Sequence, residues 1–319
     1  AYAGFRPATL NELYRPLRVG NDITEANAGL KPERLYGVET DEIGALGGDG
    51  GMIALANKEC LVAGGELFMD AVKAAGATLL PVDSEHNAIF QVLDGEDRSS
   101  LERVVLTASG GPFRTWPLEK MANVTVAAAR AHPNWSMGLK ISIDSASMFN
   151  KALEMIEAKH LFALRPEQVE VIVHPQSIVH SMVAYHDGSI LAQLGPSDMR
   201  VAIGYALNHP ERGHLPVERL DFAKLSRLDF EAPDEARFPA LRLARQAMEQ
   251  GGLSGAVLNA AKEVALEAFI AGRLPFLRMA EVVEKVMESM NTGSALDLAS
   301  ILEADTGARR NATEIIAKP

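Results

Sequence analysis

Apolar and polar positions follow a regular order from residue 52 onwards. Short apolar runs at residues 53–56, 79–82 and 104–107 predict β-strands, and helical spacing over residues 66–74 separates the first two. A strand, a helix and a second strand in this order are typical of a parallel α/β unit, in which ligands bind beyond the carboxyl ends of the strands. We therefore expect the residues that follow these strands to carry function.

The middle of the chain predicts a mixed α+β region. Residues 146–163 have the spacing of one helix, and the β-branched run 169–173 predicts a strand. Two further apolar runs, 178–185 and 189–194, flank Asp187-Gly188. Both turn residues tolerate positive φ, so this segment predicts a β-hairpin.

The last third of the chain predicts a connector followed by helices. Residues 209–237 are rich in Pro and charge, whereas helical spacing dominates residues 238–319. Ser254 is expected to cap one of these helices. Two apolar stripes are predicted to form the core of a helical bundle: Val257, Leu258, Ala261, Val264, Ala265, Ala268 and Phe269, and then Val282, Val283, Val286, Met287 and Met290.

Composition excludes several classes of function. The chain has 319 residues, a formal net charge of -11 and 47% hydrophobic residues. An acidic chain is not expected to coat nucleic acid, and no apolar run approaches the ~20 residues of a membrane span. The single cysteine, Cys60, excludes an internal disulfide and favours a reducing, cytoplasmic compartment. No signal-peptide pattern is visible at the start of the chain. Because the chain starts at Ala1 without an initiator Met, we interpret it as a fragment or a processed product.

One predicted helix carries a group of polar side chains on a single face. Asn150, Glu154 and Glu157 are spaced by four and three residues, so they share that face. One interpretation is a solvated surface on which Lys151 neutralises Glu154. The other is a site that binds a cation.

The strand-end loop favours the cation site. Asp83 and Glu85 follow the strand predicted at residues 79–82 and can point to the same side. Carboxylates from a loop and a helix make a hard oxygen site that suits Mg²⁺ or Mn²⁺.

A second group of residues suits a phosphate. Ser109-Gly110-Gly111 offers a hydroxyl and unhindered N–H groups. Ser145 precedes the helix predicted from Ala146, whose amino end would favour an anion. With Asn150 and Lys151 within the next two turns, the pattern predicts a phosphorylated substrate.

The histidines are less informative. His132 lies in a segment rich in Pro and Gly that contains Trp135, a composition that suits a mobile lid. His174 and His180 do not have the spacing of a zinc-binding helix. Taken singly, each is expected to be a hydrogen-bonded structural histidine.

Taken together, these segments resemble the 1-deoxy-D-xylulose 5-phosphate reductoisomerase family over about residues 52–300. The runs that carry the resemblance are Leu55-Ala56-Asn57-Lys58-Glu59, Leu80-Pro81-Val82-Asp83-Ser84-Glu85-His86-Asn87-Ala88-Ile89-Phe90-Gln91, Thr107-Ala108-Ser109-Gly110-Gly111-Pro112-Phe113-Arg114, His132-Pro133-Asn134-Trp135-Ser136-Met137-Gly138, Lys140-Ile141-Ser142-Ile143-Asp144-Ser145-Ala146 and His174-Pro175-Gln176-Ser177.

The resemblance implies a fold of α/β plus α+β class. Residues 1–83 would form an incomplete Rossmann-like NADPH-binding domain, 84–208 a catalytic α+β domain, 209–237 a connector and 238–319 a C-terminal helical bundle. It also implies a homodimer that binds no nucleic acid or membrane. The family rearranges the carbon skeleton of 1-deoxy-D-xylulose 5-phosphate and reduces the resulting aldehyde to 2-C-methyl-D-erythritol 4-phosphate, using NADPH and Mg²⁺ or Mn²⁺.

The resemblance also implies a role for each site residue. The metal ligands would be Asp83, Glu85, Glu154 and Glu157. The sugar phosphate would contact Ser84, Ser109, His132, Trp135, Ser145, Asn150, Lys151 and His180. The cofactor would contact Asn57, Lys58, Glu59, Met137 and Gly138. The catalytic residues would be Lys58, Glu85, His132 and Glu154.

The sequence departs from the family in three places that bear on function. The family's opening strand and Gly-rich phosphate loop are missing, since the Gly-rich run 47–51 precedes a strand. Ala152 replaces a Gly, and Lys262 replaces an Asn in a segment near the cleft. Two alternatives to the full enzyme stay open: an inactive relative that binds metal and sugar phosphate without NADPH, and an isomerase that stops before reduction.

Overall fold

The computed structural model describes residues 17–19, 22–24, 51–131, 133–135, 137–294 and 297–318. Ahead of residue 51 it describes two short antiparallel strands, β1 (Leu17–Val19) and β2 (Asp22–Thr24). Other expectations for residues 1–50 lie outside the described residues. The described chain mixes helices and strands, which confirms the predicted mixed α/β class.

The predicted parallel α/β unit is present. It consists of β3 (Met52–Leu55), α1 (Glu59–Ala74) and β4 (Thr78–Pro81), and its two strands pair in parallel. α1 begins before the predicted residue 66, because Lys58 is its N-cap and a non-helical Gly64 (φ -137°) lets the helix continue through a kink. A small apolar core holds the unit together: Ile53, Leu61, Phe68 and Val72.

The central sheet has four strands in the order β6-β5-β7-β8. After α2 (Ser84–Leu93) come β5 (Leu101–Ala108), β6 (Val169–Val173), β7 (Val179–Tyr185) and β8 (Ile190–Leu194). β5 pairs with β6 in parallel and with β7 antiparallel, and β7 and β8 form the predicted hairpin. Short 3₁₀ turns precede β5 and β6: Arg98–Ser100 and Pro166–Gln168.

The helix predicted over residues 146–163 is present from residue 149 to residue 161, and a separate helix precedes it. After the short α3 (Leu118–Met121) and α4 (Val126–Arg130), the chain forms α5 (Leu139–Ala146) and α6 (Phe149–Leu161). Met148 separates them with a φ of 64°. This left-handed conformation cannot continue a right-handed helix, so the predicted helix begins at Phe149 and not at Ala146.

The C-terminal region is helical, as predicted. It follows α7 (Met199–Asn208) and α8 (Phe222–Leu225), and its four helices are α9 (Ala240–Gln250), α10 (Ser254–Ile270), α11 (Arg278–Ser289) and α12 (Leu298–Ala317). None of the helices within the described residues has the length and apolar character to cross a membrane.

Ser254 does not cap α10, contrary to the prediction. Leu253 is the N-cap, and Ser254 is the first helical residue. The Ser254 side chain is buried, and its hydroxyl donates to Gln250 Oε1 at 3.2 Å. Packing against the end of the preceding helix therefore outweighs the capping preference of serine.

One apolar core joins the sheet to the bundle. Val104 and Leu106 of β5 belong to the same buried cluster as Leu153 of α6 and Leu258 of α10. α6 therefore runs between the central sheet and the helical bundle, and its polar residues are carried into the interior of the protein.

Candidate functional site

Asp83 marks the junction between β4 and α2. It is the N-cap of α2, where its Oδ1 accepts the backbone N–H groups of Glu85 at 3.1 Å and His86 at 3.3 Å. Aspartate is a preferred N-cap because it satisfies the free N–H groups of the first turn. The cap fixes one carboxylate oxygen and leaves Oδ2 to contact Lys58. Glu85 is held in the first turn of the same helix.

α6 supplies the second half of the site. Glu154 is 0% exposed, Glu157 3% and Lys151 4%. The interpretation of this helix face as a solvated surface is therefore wrong. Charged side chains are rarely buried unless they are paired or bind a cation, so the helix presents an interior polar site.

Three carboxylates converge where α2 meets α6. Asp83, Glu85 and Glu154 each offer an oxygen, and these atoms all lie within 4.8 Å of one another. This group does not include Glu157, the fourth predicted ligand, whose Oε2 lies 3.8 Å from Lys58 Nζ. The set contains only hard oxygen donors, which suit Mg²⁺ or Mn²⁺ better than zinc.

Two lysines compensate these carboxylates. Lys58 Nζ contacts Asp83 and lies 3.2 Å from Glu154 Oε1. Lys151 Nζ lies 2.7 Å from Glu85 Oε1 and also contacts Glu154. Ammonium groups at these positions show that the carboxylates form a cation-binding environment, so the donor set fits a divalent ion.

Electrostatic coupling within the cluster appears in the pKa values of Lys58, Asp83 and Glu154. Burial favours the neutral amine of Lys58, but Asp83 and Glu154 outweigh it and raise the pKa of Lys58 well above its usual value. Burial also opposes the charge of Asp83, yet Lys58 holds the pKa of Asp83 well below its usual range. For Glu154, burial and the charge of Glu85 raise the pKa despite Lys151.

His86 is a further member of this cluster, which the sequence did not predict. Its Nε2 lies 2.9 Å from the backbone oxygen of Glu154, and its Nδ1 lies 3.2 Å from Asp83 Oδ1 and 3.6 Å from Glu157 Oε2. Burial favours the neutral ring, but Glu157 and Asp83 raise the pKa of His86 to about 9. Burial in turn raises the pKa of Glu157 to about 7, although His86 opposes this. The available signal was the spacing of three residues between Asp83 and His86 on one helix.

The residues predicted to hold the phosphate lie on three adjoining elements: a loop, α5 and α6. Ser145 is in the last turn of α5, so the prediction that it precedes a helix N-terminus is wrong. A Cβ built on Gly111 would lie 3.0 Å from the backbone oxygen of Ser145, so the Ser109–Gly111 loop packs directly on this turn. The N–H of Gly111 donates to Ser109 Oγ at 3.2 Å. From α6, Asn150 contacts Glu154.

The predicted lid lies beside the central sheet. The ring of Trp135 is 6.3 Å from the ring of His180, and Asn134 Nδ2 donates to the backbone oxygen of Pro175 at 2.6 Å. His180 Nε2 lies 3.2 Å from the backbone oxygen of Pro196, and burial lowers the pKa of His180. His132 lies outside the described residues.

The predicted cofactor contacts lie at the amino ends of two helices. Asn57, Lys58 and Glu59 form the turn from β3 into α1, and Asn57 Oδ1 accepts the N–H of Cys60 at 3.1 Å. Within this turn it is Lys58 that reaches the carboxylates. Met137 is half-buried, and Gly138 is the N-cap of α5. Ser84 contacts Glu85 within the first turn of α2.

Known proteins match most of the described chain. The 1-deoxy-D-xylulose 5-phosphate reductoisomerase C-terminal domain matches residues 79–162, and the DXP reductoisomerase C-terminal domain matches residues 194–311. The 1-deoxy-D-xylulose 5-phosphate reductoisomerase of Rhizobium meliloti is 70% identical over 268 residues, which cover 84% of this chain and 68% of the relative. That of Rhizobium rhizogenes is 66% identical over 292 residues, 91% of this chain and 71% of the relative.

Solved structures agree with these matches. The reductoisomerase of Zymomonas mobilis in complex with NADPH is 50% identical with a TM-score of 0.79, covering 84% of this chain and 69% of that one. A DOX-P reductoisomerase in complex with NADPH, fosmidomycin and magnesium is 43% identical with a TM-score of 0.80, covering 87% and 72%. The predicted cofactors, NADPH and Mg²⁺, are thus confirmed for these relatives, and the predicted class of NADP-dependent oxidoreductase is confirmed by the family. On sequence and structure alike, the chain belongs to the 1-deoxy-D-xylulose 5-phosphate reductoisomerase family.

Proposed function

We propose that the protein converts 1-deoxy-D-xylulose 5-phosphate to 2-C-methyl-D-erythritol 4-phosphate with NADPH and a divalent metal ion. The observation that carries this proposal is the convergence of Asp83, Glu85 and Glu154 within 4.8 Å. The relatives' names and the complexes with NADPH and magnesium support the same reaction.

The carboxylate cluster is the proposed metal site. Asp83, Glu85 and Glu154 would hold the ion, with Glu157 as a supporting carboxylate behind them. A divalent ion held there would supply Lewis-acid polarisation of the substrate's carbonyl, and NADPH would supply the hydride for the reduction. Lys58 lies among the same carboxylates and is held as an ammonium, so it can donate hydrogen bonds to the oxygens of the substrate. Ser84, beside Glu85, offers a hydroxyl to the same oxygens.

The phosphate is proposed to bind beside the metal site. Ser109 and Ser145 lie on two elements in direct contact, and Asn150 and Lys151 begin the adjoining α6. Lys151 links the two halves, because its ammonium contacts the carboxylates from the helix turn that follows Ser145. Binding the phosphate away from the reacting carbons supplies orientation.

Two further elements complete the proposed site. Trp135 and His180 would cover the substrate, with His132 on the same lid. Asn57, Glu59, Met137 and Gly138 would contact NADPH. The turn that contains Asn57 lies beyond the carboxyl end of a parallel strand, where α/β sheets bind their ligands.

The same proposal covers the organisation of the protein. Residues 1–83 would belong to the NADPH-binding domain, 84–208 to the catalytic domain, 209–237 to a connector and 238–319 to the helical bundle. We propose that the protein acts as a cytoplasmic homodimer, and its single cysteine fits a reducing compartment.

An assay of NADPH consumption tests the reaction. The purified chain is incubated with 1-deoxy-D-xylulose 5-phosphate, NADPH and Mg²⁺, and the loss of NADPH absorbance is followed with and without a chelator. Consumption that requires both the substrate and the metal supports the proposal. Binding of the sugar phosphate without consumption would instead identify an inactive relative, and accumulation of the aldehyde without consumption would identify an isomerase.

A further inference from the structure

A buried ion pair connects the helical bundle to α5. Lys262 Nζ on α10 lies 3.0 Å from Asp144 Oδ2 on α5, and the two side chains are 3% and 10% exposed. Burial raises the pKa of Asp144 although Lys262 opposes this, and the charges of Glu59 and Glu263 act in the same direction as burial. Asp144 Oδ1 accepts no hydrogen bond among the described residues. Lys262 therefore compensates a carboxylate that would otherwise be costly to bury.

Among the described residues, α5 buries few other side chains where it faces the helical bundle. Ile143 and Ala146 are buried, but Leu139 and Ile141 are 36% and 39% exposed. A second ion pair joins the same two helices, between Lys140 Nζ and Glu267 Oε1 at 3.0 Å, with side chains 63% and 58% exposed. Exposed pairs contribute little to stability, whereas breaking a buried pair strands a charge. The two pairs thus offer a matched comparison within one helix-helix contact.

The end of α5 leads directly into the proposed phosphate site. Ser145 follows Asp144, and its backbone oxygen is packed against Gly111 in the loop that begins at Ser109. Three residues after Ser145, Met148 turns the chain into α6, the helix that carries Lys151. A shift of Asp144 would therefore move Ser145 relative to the Ser109 loop.

We propose that Lys262 is a positioning residue for substrate binding: by pairing with Asp144 it holds the last turn of α5 against the Ser109–Gly111 loop. This inference rests on the proposed function, because it assigns the loop and the helix turn to the substrate's phosphate. Lys262 itself is buried and pairs with Asp144, so we assign it no direct contact with the substrate.

The test compares Lys262→Met with Lys140→Met. Each change removes an ammonium from one of the two α5–α10 pairs. Binding of 1-deoxy-D-xylulose 5-phosphate is measured by calorimetry with Mg²⁺ and without NADPH, and Mg²⁺ binding is measured separately. We expect Lys262→Met to weaken substrate binding by about tenfold or more, the scale of leaving a buried acceptor unpaired. Mg²⁺ binding should be retained, and Lys140→Met should bind like the unaltered chain.

A rescue variant separates positioning from general destabilisation. Adding Asp144→Asn to Lys262→Met removes the stranded charge, and substrate affinity should recover in part. If Lys262→Met lowers the thermal midpoint but binds the substrate normally, Lys262 is structural only and the inference is wrong. Equal losses of substrate and Mg²⁺ binding would also overturn it. Failure of the unaltered chain to bind the substrate would overturn the proposed function as well.

Discussion

The carboxylate cluster and the helical bundle are both buried, but they bury opposite kinds of side chain. Between α2 and α6 the interior holds Glu154, Glu157 and Lys151, whereas α10 and α11 bury residues such as Leu258 and Met287. Apolar burial lowers the free energy of the folded state directly. Burial of charges costs free energy, which pairing with opposite charges only partly returns.

This difference indicates what each region is for. The apolar bundle stabilises the folded state, which the charged cluster does not. The bundle also holds α6 in place, because both belong to one continuous apolar core. The cluster retains ionised groups in a confined volume, as a site that binds a cation requires. Changes in the two regions should therefore separate activity from stability.

Glu154→Gln should give the largest effect, on activity. The change keeps the shape of the side chain but removes a carboxylate charge from the proposed metal site. We expect kcat/KM to fall by about 10²- to 10³-fold, the scale of losing one electrostatic partner of the transition state. The free energy of unfolding should change little, because burial already disfavours the charge of Glu154. Its lysine partners are not stranded, since Lys58 keeps Asp83 and Lys151 keeps Glu85. Steady-state kinetics over a range of Mg²⁺ concentrations, together with urea unfolding, measure both quantities.

Glu267→Gln is the matched control for this change. Glu267 is also a helical glutamate paired with a lysine, but its pair with Lys140 is exposed. Loss of the Lys140–Glu267 pair should leave turnover unaltered. A Glu154→Gln variant that kept full activity at limiting Mg²⁺ would show that Glu154 is not a metal ligand.

Met287→Ala should show the reverse behaviour. Met287 is 3% exposed and lies in the buried stripe of α11. Truncation leaves a cavity and should lower the free energy of unfolding by about 2 to 3 kcal/mol. The kcat/KM of the folded fraction should be unchanged, because the stripe packs inside the bundle. Leu302→Ala, at a leucine that is 40% exposed, is the control and should cost less than about 1 kcal/mol. A large loss of kcat/KM at full folding would contradict the separation.

The sequence predicts the bundle better than the cluster, for a physical reason. A helix that buries one apolar face leaves a periodic stripe, and Val282, Val283, Val286 and Met287 are buried as that period requires. Strands and the Asp187-Gly188 hairpin leave equally local signals.

The details of the cluster depend on contacts that no local pattern contains. Glutamates on a helix usually face water, so the burial of Glu154 follows only from packing α6 between the sheet and the bundle. The break at Met148 was missed because the left-handed conformation is occupied without a glycine. His86 was missed because its spacing of three residues from Asp83 is a weak signal until Glu157 is placed beside it. For Glu154 the family resemblance supplied what spacing could not.

His160 sharpens the comparison, because it is a titratable group on α6 beyond the cluster. Its ring packs against α1 so closely that a Cβ on Gly65 would lie 2.4 Å from it. Burial, with a smaller effect of Lys159, lowers the pKa of His160 to about 4. The pKa of His86, in contrast, is raised to about 9 by its carboxylate neighbours. Burial alone therefore keeps one histidine neutral, while paired charges keep the other protonated.

His160→Gln should alter the pH dependence of stability. A lowered pKa in the folded state means that the unfolded chain binds the proton more tightly than the folded chain does. The stability of the folded state is therefore undiminished by His160 above pH 6.5 and falls as the pH is lowered towards 4. The glutamine variant cannot take up this proton and should lose less stability between pH 7.5 and 4.5, by up to about 2 kcal/mol. Urea unfolding of both proteins at the two pH values measures the difference. His214→Gln, at an exposed histidine, is the control. Identical acid sensitivity of the His160→Gln variant and the unaltered chain would show that the burial of His160 does not disfavour its charge.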